Sequence, residues 1–554
     1  MENQTIQGSF IKGAAILGIA GIIVKVLGAI FKIPLVSIIA STGMGYYSSA
    51  YPIYVMLLAI ATSGFPIAIS KMVAETKTNL SPPLLFPAKG NLKGANEIFY
   101  VILPLMVVIG IITSSGLFLS SDFLARNMLE NPKAVYSLKA LSLALFFVPI
   151  MSAYRGFFQG RNTMFPSAIS QLMEQMGRVI LGLTLALIMV KKGVEYGAAG
   201  ASFGATGGAF LGLLAMIWFY LREKKTLNSE SQVEDCYEKE HSVRIIKELL
   251  IIAIPVIIGA LVKPIMDFID ASMVIGLLMK TGIGELDANS MLGQLSGMAT
   301  TMVNLPSIMI SAIAMSIVPI ISYEYSRNNI ESAERNVVLS IRMALLIGLP
   351  TGIGLMSLSE PIMNLLFPKE PSQLAGQILF IAALGVVFLS LIQVLTAILQ
   401  GVGKAHLPVL NLMIGVVFKV IITYLLTTNE RFGVKGAAIG TVVAYVISAF
   451  LDFIAVKKFL MLEFDYKKIL VRPIVVTLLM GFIARISYKV ASIAFFVAIS
   501  VSAANKFATM IGIVFAGIFY IVALIKCKII EEDDLRNLSK GQKIISLFKK
   551  LKIV

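Results

Sequence analysis

The sequence IIVKVLGAIFKIP, from Ile22 to Pro34, places two lysines inside an apolar run that extends from Phe10 to Ala40. A run of this length can cross a bilayer as a helix. Lys25 and Lys32 are two helical turns apart, so both ammonium groups project from one face. A lysine at membrane depth is costly and normally faces a polar interior. The pattern predicts a first transmembrane helix that lines an aqueous cavity for an anionic substrate. The alternative is that Lys32 snorkels toward a helix end.

The composition of the chain is that of a helical membrane protein. Of its 554 residues, 57% are hydrophobic and 14% are charged, and the mean hydropathy is +0.87. A soluble protein carries about 25% charged residues. The net charge of +16 resides mainly in short connections between apolar runs, which is the positive-inside pattern and argues against nucleic-acid binding. The sequence therefore predicts an all-α polytopic membrane protein with both termini in the cytoplasm. Cys236 and Cys527 predict neither a disulfide nor a metal site.

Apolar runs predict about fourteen transmembrane helices, in two six-helix lobes followed by two additional helices. The predicted spans are 10–40, 46–72, 97–120, 136–159, 166–190, 198–221, 248–279, 291–323, 335–358, 373–400, 407–428, 436–457, 470–490 and 493–525. The predicted domains are an N-terminal lobe (1–221), a cytoplasmic connecting loop (222–245), a C-terminal lobe (246–460), two added helices (461–527) and a basic cytoplasmic tail (528–554).

Ordered matches between the two halves indicate an internal duplication at an offset of about 235 to 241 residues. YGAAGASFG from Tyr196 matches FGVKGAAIG from Phe432, and Arg178 falls on Lys419. The matching glycines predict close helix packing in lipid. The same offset places Lys25 on Lys263 and Lys32 on Asp270, so the first and seventh spans are expected to face each other across one cavity.

The seventh span carries the second group of charges at membrane depth. Its sequence LVKPIMDFID places Lys263, Asp267 and Asp270 on one helix face. We expect Lys263 to bind substrate with Lys25 and Lys32, Asp270 to lie opposite Lys32, and Asp267 and Asp270 to couple transport to a proton or sodium gradient. Neutralisation of Asp267 by Lys263 within the helix is the alternative.

The remaining charges and motifs do not point to catalysis. Glu174 and Arg178 are one helical turn apart and are expected to pair, and Arg155 is interpreted as an orientation signal. The sequence contains no catalytic, cofactor, metal or nucleotide motif. It therefore predicts a transporter and not an enzyme.

Three stretches resemble a known family. KVLGAIFKIPL from Lys25, GMGYYSSAYPIY from Gly43 and ATSGFPIAISK from Ala61 resemble the branch of the MOP superfamily that contains stage V sporulation protein B and polysaccharide exporters, whose relatives include the lipid II flippases. The resemblance implies two lobes that alternate access to a central cavity in the bacterial cytoplasmic membrane. It also implies a lipid-linked cell-wall precursor or oligosaccharide as substrate, with membrane lipids and cell-wall synthesis enzymes as partners.

One departure from the family pattern concerns the eighth span. Lipid II flippases have an Arg and a Glu shortly before a Leu/Phe-Pro pair, where this sequence has TTMVNLP, with Thr301 and Asn304 before Pro306. The departure argues against strict lipid II specificity but suits a related polyprenyl-diphosphate-linked substrate. Two alternatives stay open. One is a MATE-type cation or drug antiporter, which Asp267 and Asp270 would suit, and the other is a non-transporting scaffold for wall-synthesis enzymes.

Overall fold

The computed structural model describes residues 2–75, 92–229, 239–460, 465–496, 500–527 and 529. Within these ranges every regular element is a helix, which confirms the predicted all-α class. The centre of the predicted connecting loop, with Cys236, and nearly all of the predicted basic tail lie outside the described residues.

The chain divides into two compact units, Met1–Gly293 and Gln294–Val554. The helices of the first unit are α1 (Glu2–Thr62), α2 (Phe65–Glu75), α3 (Leu92–Phe123), α4 (Val135–Ser142), α5 (Ala144–Gly160), α6 (Phe165–Met189), α7 (Val194–Ser229), α8 (Lys239–Lys280) and α9 (Glu285–Leu292). Those of the second unit are α10 (Thr300–Ser326), α11 (Ile330–Ser357), α12 (Ser359–Leu366), α13 (Ser372–Gly401), α14 (His406–Thr427), α15 (Lys435–Phe459), α16 (Arg472–Phe496) and α17 (Val501–Lys526). The first unit includes α8 because α8 packs against α1. The predicted lobe boundaries, which derive from the sequence repeat, stay a prediction.

Helix α1 is too long for a single crossing. Its 61 residues would extend about 90 Å at the rise of an α-helix, three times the thickness of the hydrocarbon core. The backbone breaks at Ala40, which has φ 58° and ψ 175°. The described residues contain 13 helical segments that are long and apolar enough to cross a membrane, and the first of these, Ile16–Glu75, holds two crossings. The structure thus accounts for the fourteen predicted spans.

Glycines set the closest helix contacts in both units. On α7, a methyl group at Gly204 would overlap the backbone of α6 at Arg178 and Gly182. In the second unit, Gly436 and Gly440 of α15 face α14 in the same way. The predicted packing role of these glycines is confirmed, since small residues allow helix backbones to approach in lipid.

A buried polar contact joins α1 to α9. The Nδ2 atom of Asn131 donates hydrogen bonds to Ser49 Oγ, at 2.9 Å, and to Asn289 Oδ1, at 2.8 Å. Nearby, the Oγ atoms of Ser41 and Ser290 are 2.8 Å apart. In the predicted topology these residues lie on the extracellular side. The contact therefore holds α9 against the outer end of the first crossing.

Candidate functional site

The basic residues predicted from the sequence lie on two neighbouring helices of the first unit. Lys25 and Lys32 are on α1, and Lys263 is on α8, which packs against α1. Lys263 is close enough to Lys25 for direct electrostatic repulsion. Lys32 interacts electrostatically with both Lys263 and Asp267. The structure thus brings the three lysines and Asp267 into one charged cluster.

Most of these side chains face open space rather than packed protein. Lys25, Lys263 and Asp267 are exposed, and Lys32 is partly buried. All four lie in segments that can cross a membrane. Because a charged side chain is costly in hydrocarbon, the open space around this cluster has to be polar or water-filled. The role of this cluster as the lining of an aqueous cavity stays a prediction.

The carboxylates of α8 occupy two different environments. Asp267 is exposed and interacts with Lys32, whereas Asp270, one turn further on, is 9% exposed. Asp267 acts electrostatically on Lys32. The expected position of Asp270 opposite Lys32 stays a prediction.

Arg178 is a further cation that the sequence did not assign to the site. It projects from α6 and interacts electrostatically with Lys32. Its Nη1 atom donates a hydrogen bond to the Tyr51 hydroxyl at 3.1 Å, and its guanidinium lies 5.4 Å from the centre of the Tyr51 ring. Tyr47 and Tyr54 flank Tyr51, with ring centres 5.3 and 5.7 Å away. The spacing of these tyrosines, at i, i+4 and i+7, was the available signal for a cation-binding face.

Glu174 has a different partner from the one expected. Its Oε2 atom accepts a hydrogen bond from Arg155 Nη2 at 2.9 Å, and the same nitrogen is 2.9 Å from Ser170 Oγ. Glu174 makes its direct contact with Arg155 and not with Arg178, with which it keeps a longer-range electrostatic interaction. Arg155, interpreted from the sequence as an orientation signal, neutralises Glu174 because α5 brings it to this face of α6. The direct hydrogen bond of Arg178 goes to Tyr51 of α1.

Gln175 provides an additional donor near the lysines. It is 5% exposed, and its Nε2 atom has no hydrogen-bond partner among the described residues. That nitrogen lies 3.3 Å from the position a Cβ atom would take at Gly28, which stands between Lys25 and Lys32 on α1. A buried amide without a partner is costly, so a ligand or water at this point would be stabilised.

The cluster as a whole is positively charged. Lys25, Lys32, Lys263, Arg155 and Arg178 oppose the carboxylates of Asp267, Asp270 and Glu174, which leaves an excess of two positive charges. An excess of cationic side chains at membrane depth favours a neighbouring anion.

The sequence model of the family described as polysaccharide biosynthesis protein matches residues 10–323, a range that contains every residue of this cluster. The chain belongs to this family. The MatE family model matches residues 255–425 as well. Both matches agree with the predicted membership of the MOP superfamily.

Curated relatives cover nearly the whole chain. The lipid II flippase MurJ of Bacillus subtilis (strain 168) is 28% identical over 88% of this chain and 89% of the relative. Stage V sporulation protein B of the same organism is 26% identical over 97% of this chain and 98% of the relative. Among solved structures, the inward closed conformation of lipid II flippase MurJ superposes with a TM-score of 0.62 at 15% identity, covering 92% of this chain and 97% of that one.

These similarities establish the class of the protein. The chain is a multi-pass membrane protein of the MOP superfamily, related to a lipid II flippase and to stage V sporulation protein B. At 15% identity, the structural likeness shows the fold alone.

Proposed function

We propose that the chain is a flippase that moves a polyprenyl-diphosphate-linked cell-wall precursor or oligosaccharide across the bacterial cytoplasmic membrane by alternating access. The observation that carries this proposal is the cluster of Lys25, Lys32 and Lys263 at membrane depth, with its excess of positive charge. The names of the curated relatives support the same class of activity. Moving such a lipid requires no covalent step, so the proposal is a transporter and not an enzyme.

The chemistry of the substrate fits the cluster. A diphosphate that links a lipid to a sugar carries two negative charges at neutral pH, which equals the excess of positive charge in the cluster. Ammonium groups bind phosphate oxygens through charge-assisted hydrogen bonds. The interaction is stronger in a cavity of low effective dielectric than in bulk water. The polyprenyl tail can stay in the lipid while the headgroup crosses.

The same geometry suggests how an ion gradient would drive the cycle. Asp267 interacts with Lys32 in this structure. A bound diphosphate would compete with Asp267 for Lys32. The released carboxylate of Asp267, with Asp270 one turn away, would then bind a proton or a sodium ion. Coupling by these two residues is part of the proposal.

A MATE-type antiporter is the second candidate, because the MatE family model covers Asp267 and Asp270. An extruder of cationic drugs needs a cavity of net negative charge. The cluster has the opposite sign, which favours the anionic substrate.

The test uses reconstituted full-length protein and a labelled polyprenyl-diphosphate oligosaccharide. The Lys25→Ala, Lys32→Ala double variant should insert normally, since it removes charges from the membrane. Its headgroup binding should weaken by roughly 10-fold or more per lysine, because a hydrogen bond to a charged group contributes about 1.5–3 kcal/mol. Flipping should be lost. Arginine at either position should restore part of the binding, because the charge remains while the geometry changes.

Lys139→Ala is the matched control, since Lys139 is partly exposed and already paired with Asp122. It should bind and flip as the wild type does. Unchanged binding and flipping by the double Lys→Ala variant would refute the proposed function. Gradient-driven export of organic cations would identify an antiporter. Absence of both activities in a well-folded wild type would support the non-transporting scaffold.

A further inference from the structure

A second charged position at membrane depth lies in the other unit. Asp452 of α15 is 1% exposed, inside a segment, Lys435–Phe459, that can cross a membrane. Its Oδ1 atom accepts a hydrogen bond from Asn411 Nδ2 of α14 at 2.8 Å. The partner of this carboxylate is thus an uncharged amide.

The helices around Asp452 supply no fixed counter-charge at the carboxylate. Helices α13 and α14 pack against α15, and α13 carries no charged residue. On α14, Lys419 lies two turns beyond Asn411, about 12 Å along the helix axis, and His406 is exposed at the start of the helix. On α15 itself, Lys457 and Lys458 are exposed at the end of the helix. Within the described ranges, Asp452 forms no ion pair.

The internal duplication allows the surroundings of Asp452 to be compared with those of Glu174, position by position. An offset of 241 residues places Ser170 on Asn411 and Arg155 on Thr396. In the first unit the carboxylate beside Ser170, that of Glu174, has a permanent cation in Arg155. In the second unit, Asn411 stands at the position of Ser170, and the carboxylate beside it is that of Asp452 on α15. Thr396 stands at the position of Arg155. The second repeat therefore has no cation at the position of Arg155.

A carboxylate removed from water without a fixed cation is stable only when a mobile cation neutralises it. We propose that Asp452 is a proton-binding site in the second unit, separate from the lysine cluster, and that its protonation is coupled to transport. The coupling rests on the proposed function, whereas the proton site does not. Protonation adds H⁺ to one carboxylate oxygen, and release returns it to water when the site opens.

The neighbouring groups favour a proton over a metal cation. Asn411 presents an N–H group to the carboxylate, and the Ser448 hydroxyl donates to the Ala444 carbonyl at 2.8 Å. A sodium ion needs several oxygen ligands directed at one point. These two side chains direct hydrogen atoms to carbonyl or carboxylate oxygens instead.

The proton site can be tested without any substrate. Full-length protein in lipid nanodiscs would be titrated from acid to alkaline pH while the infrared carbonyl stretch of protonated carboxyl groups is recorded. All variants are recorded in an Asp267→Asn, Asp270→Asn background, which removes the carboxylates of the lysine cluster. In that background the protein should show a buried carboxyl band that disappears at high pH. The Asp452→Asn variant, which is isosteric, should lack that band. Asn411→Lys should also lack it, because a fixed cation beside Asp452 would keep the carboxylate ionised.

Asp122→Asn is the control, because Asp122 is exposed and paired with Lys139. It should retain the titrating band. Persistence of the band in Asp452→Asn, a band that no pH removes, or its loss on adding sodium at constant pH would each overturn the proton site.

Coupling is then measured with the labelled lipid in proteoliposomes. Asp452→Asn should bind the lipid as the wild type does but lose the dependence of flipping on a pH gradient. The Lys25→Ala, Lys32→Ala variant should lose lipid binding and keep the titrating band. Gradient-dependent flipping by Asp452→Asn would overturn the coupling. Failure of the wild type to bind the lipid would count against the proposed function alone.

Discussion

At the scale of single residues, the first unit holds its charges by three different means. Arg155 and Glu174 neutralise each other through a direct hydrogen bond. Arg178 instead uses the ring and the hydroxyl of Tyr51, a cation–π contact combined with a hydrogen bond. Lys25 and Lys263 repel each other and face open space. Binding of an anion by these two lysines is part of the proposed function.

Removal of the two carboxylates of α8 should affect substrate binding and gradient-driven flipping in opposite directions. In the Asp267→Asn, Asp270→Asn variant, Lys32 loses a competing carboxylate, so binding of the labelled diphosphate should tighten by a few-fold. Flipping driven by an imposed proton or sodium gradient should fall at least about 10-fold, because the coupling cation has lost its ligands. The measurement is binding and flipping in the same proteoliposomes. Undiminished gradient-driven flipping would remove both aspartates from the coupling mechanism.

At the scale of helices, the contact between α6 and α7 determines where Glu174 and Arg178 stand. Gly208 of α7 lies directly against the backbone of α6 at these two residues. The helices can approach this closely only because no side chain intervenes.

Replacement of Gly208 by alanine should therefore separate α6 from α7. A methyl group there would overlap the Glu174 carbonyl, and overpacking of this kind costs about 1–3 kcal/mol. The loss should appear as a lower thermal midpoint of the protein in detergent. Gly116→Ala is the matched control, since a Cβ atom there meets no atom within 4 Å. Equal midpoints for the two variants would contradict the packing argument.

The contact between α1 and α9 gives a second prediction at this scale. Ser41 and Ser290 have their Oγ atoms 2.8 Å apart, so cysteines at both positions should form a disulfide under mild oxidation. In a background without Cys236 and Cys527, the cross-link should stop flipping by holding α9 on α1, and a reductant should restore it. Each single cysteine variant serves as the control. Full activity of the cross-linked protein would show that this contact does not open during transport.

At the scale of the whole molecule, the orientation in the membrane is a prediction from the loop charges. Both native cysteines, Cys236 and Cys527, are then cytoplasmic. A membrane-impermeant maleimide should label them only after cells are permeabilised. A cysteine introduced at Lys191, in a connection predicted to be extracellular, should react with intact cells when the native cysteines are removed. Labelling of native cysteines in intact cells would reverse the topology.

The class of the protein, and the features that depend on local pattern, follow from the amino-acid sequence alone. Each crossing has to be an apolar helix of about 20 residues, because hydrocarbon cannot hydrogen-bond the backbone. The spans therefore follow from runs of apolar residues. The helical repeat of 3.6 residues likewise placed Lys25 and Lys32 on one face, and Lys263 and Asp267 on another. The packing glycines were also visible in the sequence.

The charges that meet across helices could be identified only from the packed structure. Spacing within α6 favoured a Glu174–Arg178 pair, whereas α5 supplies Arg155 to Glu174 and α1 supplies Tyr51 to Arg178. Asp267 of α8 acts on Lys32 of α1, an interaction that the spacing within either helix did not specify. The hydrogen bond between Asn411 of α14 and Asp452 of α15 is another contact across helices. Such contacts depend on the rotation and the axial shift of each helix against its neighbours. Packing over the whole length of the helices sets both quantities, and no local sequence pattern encodes them.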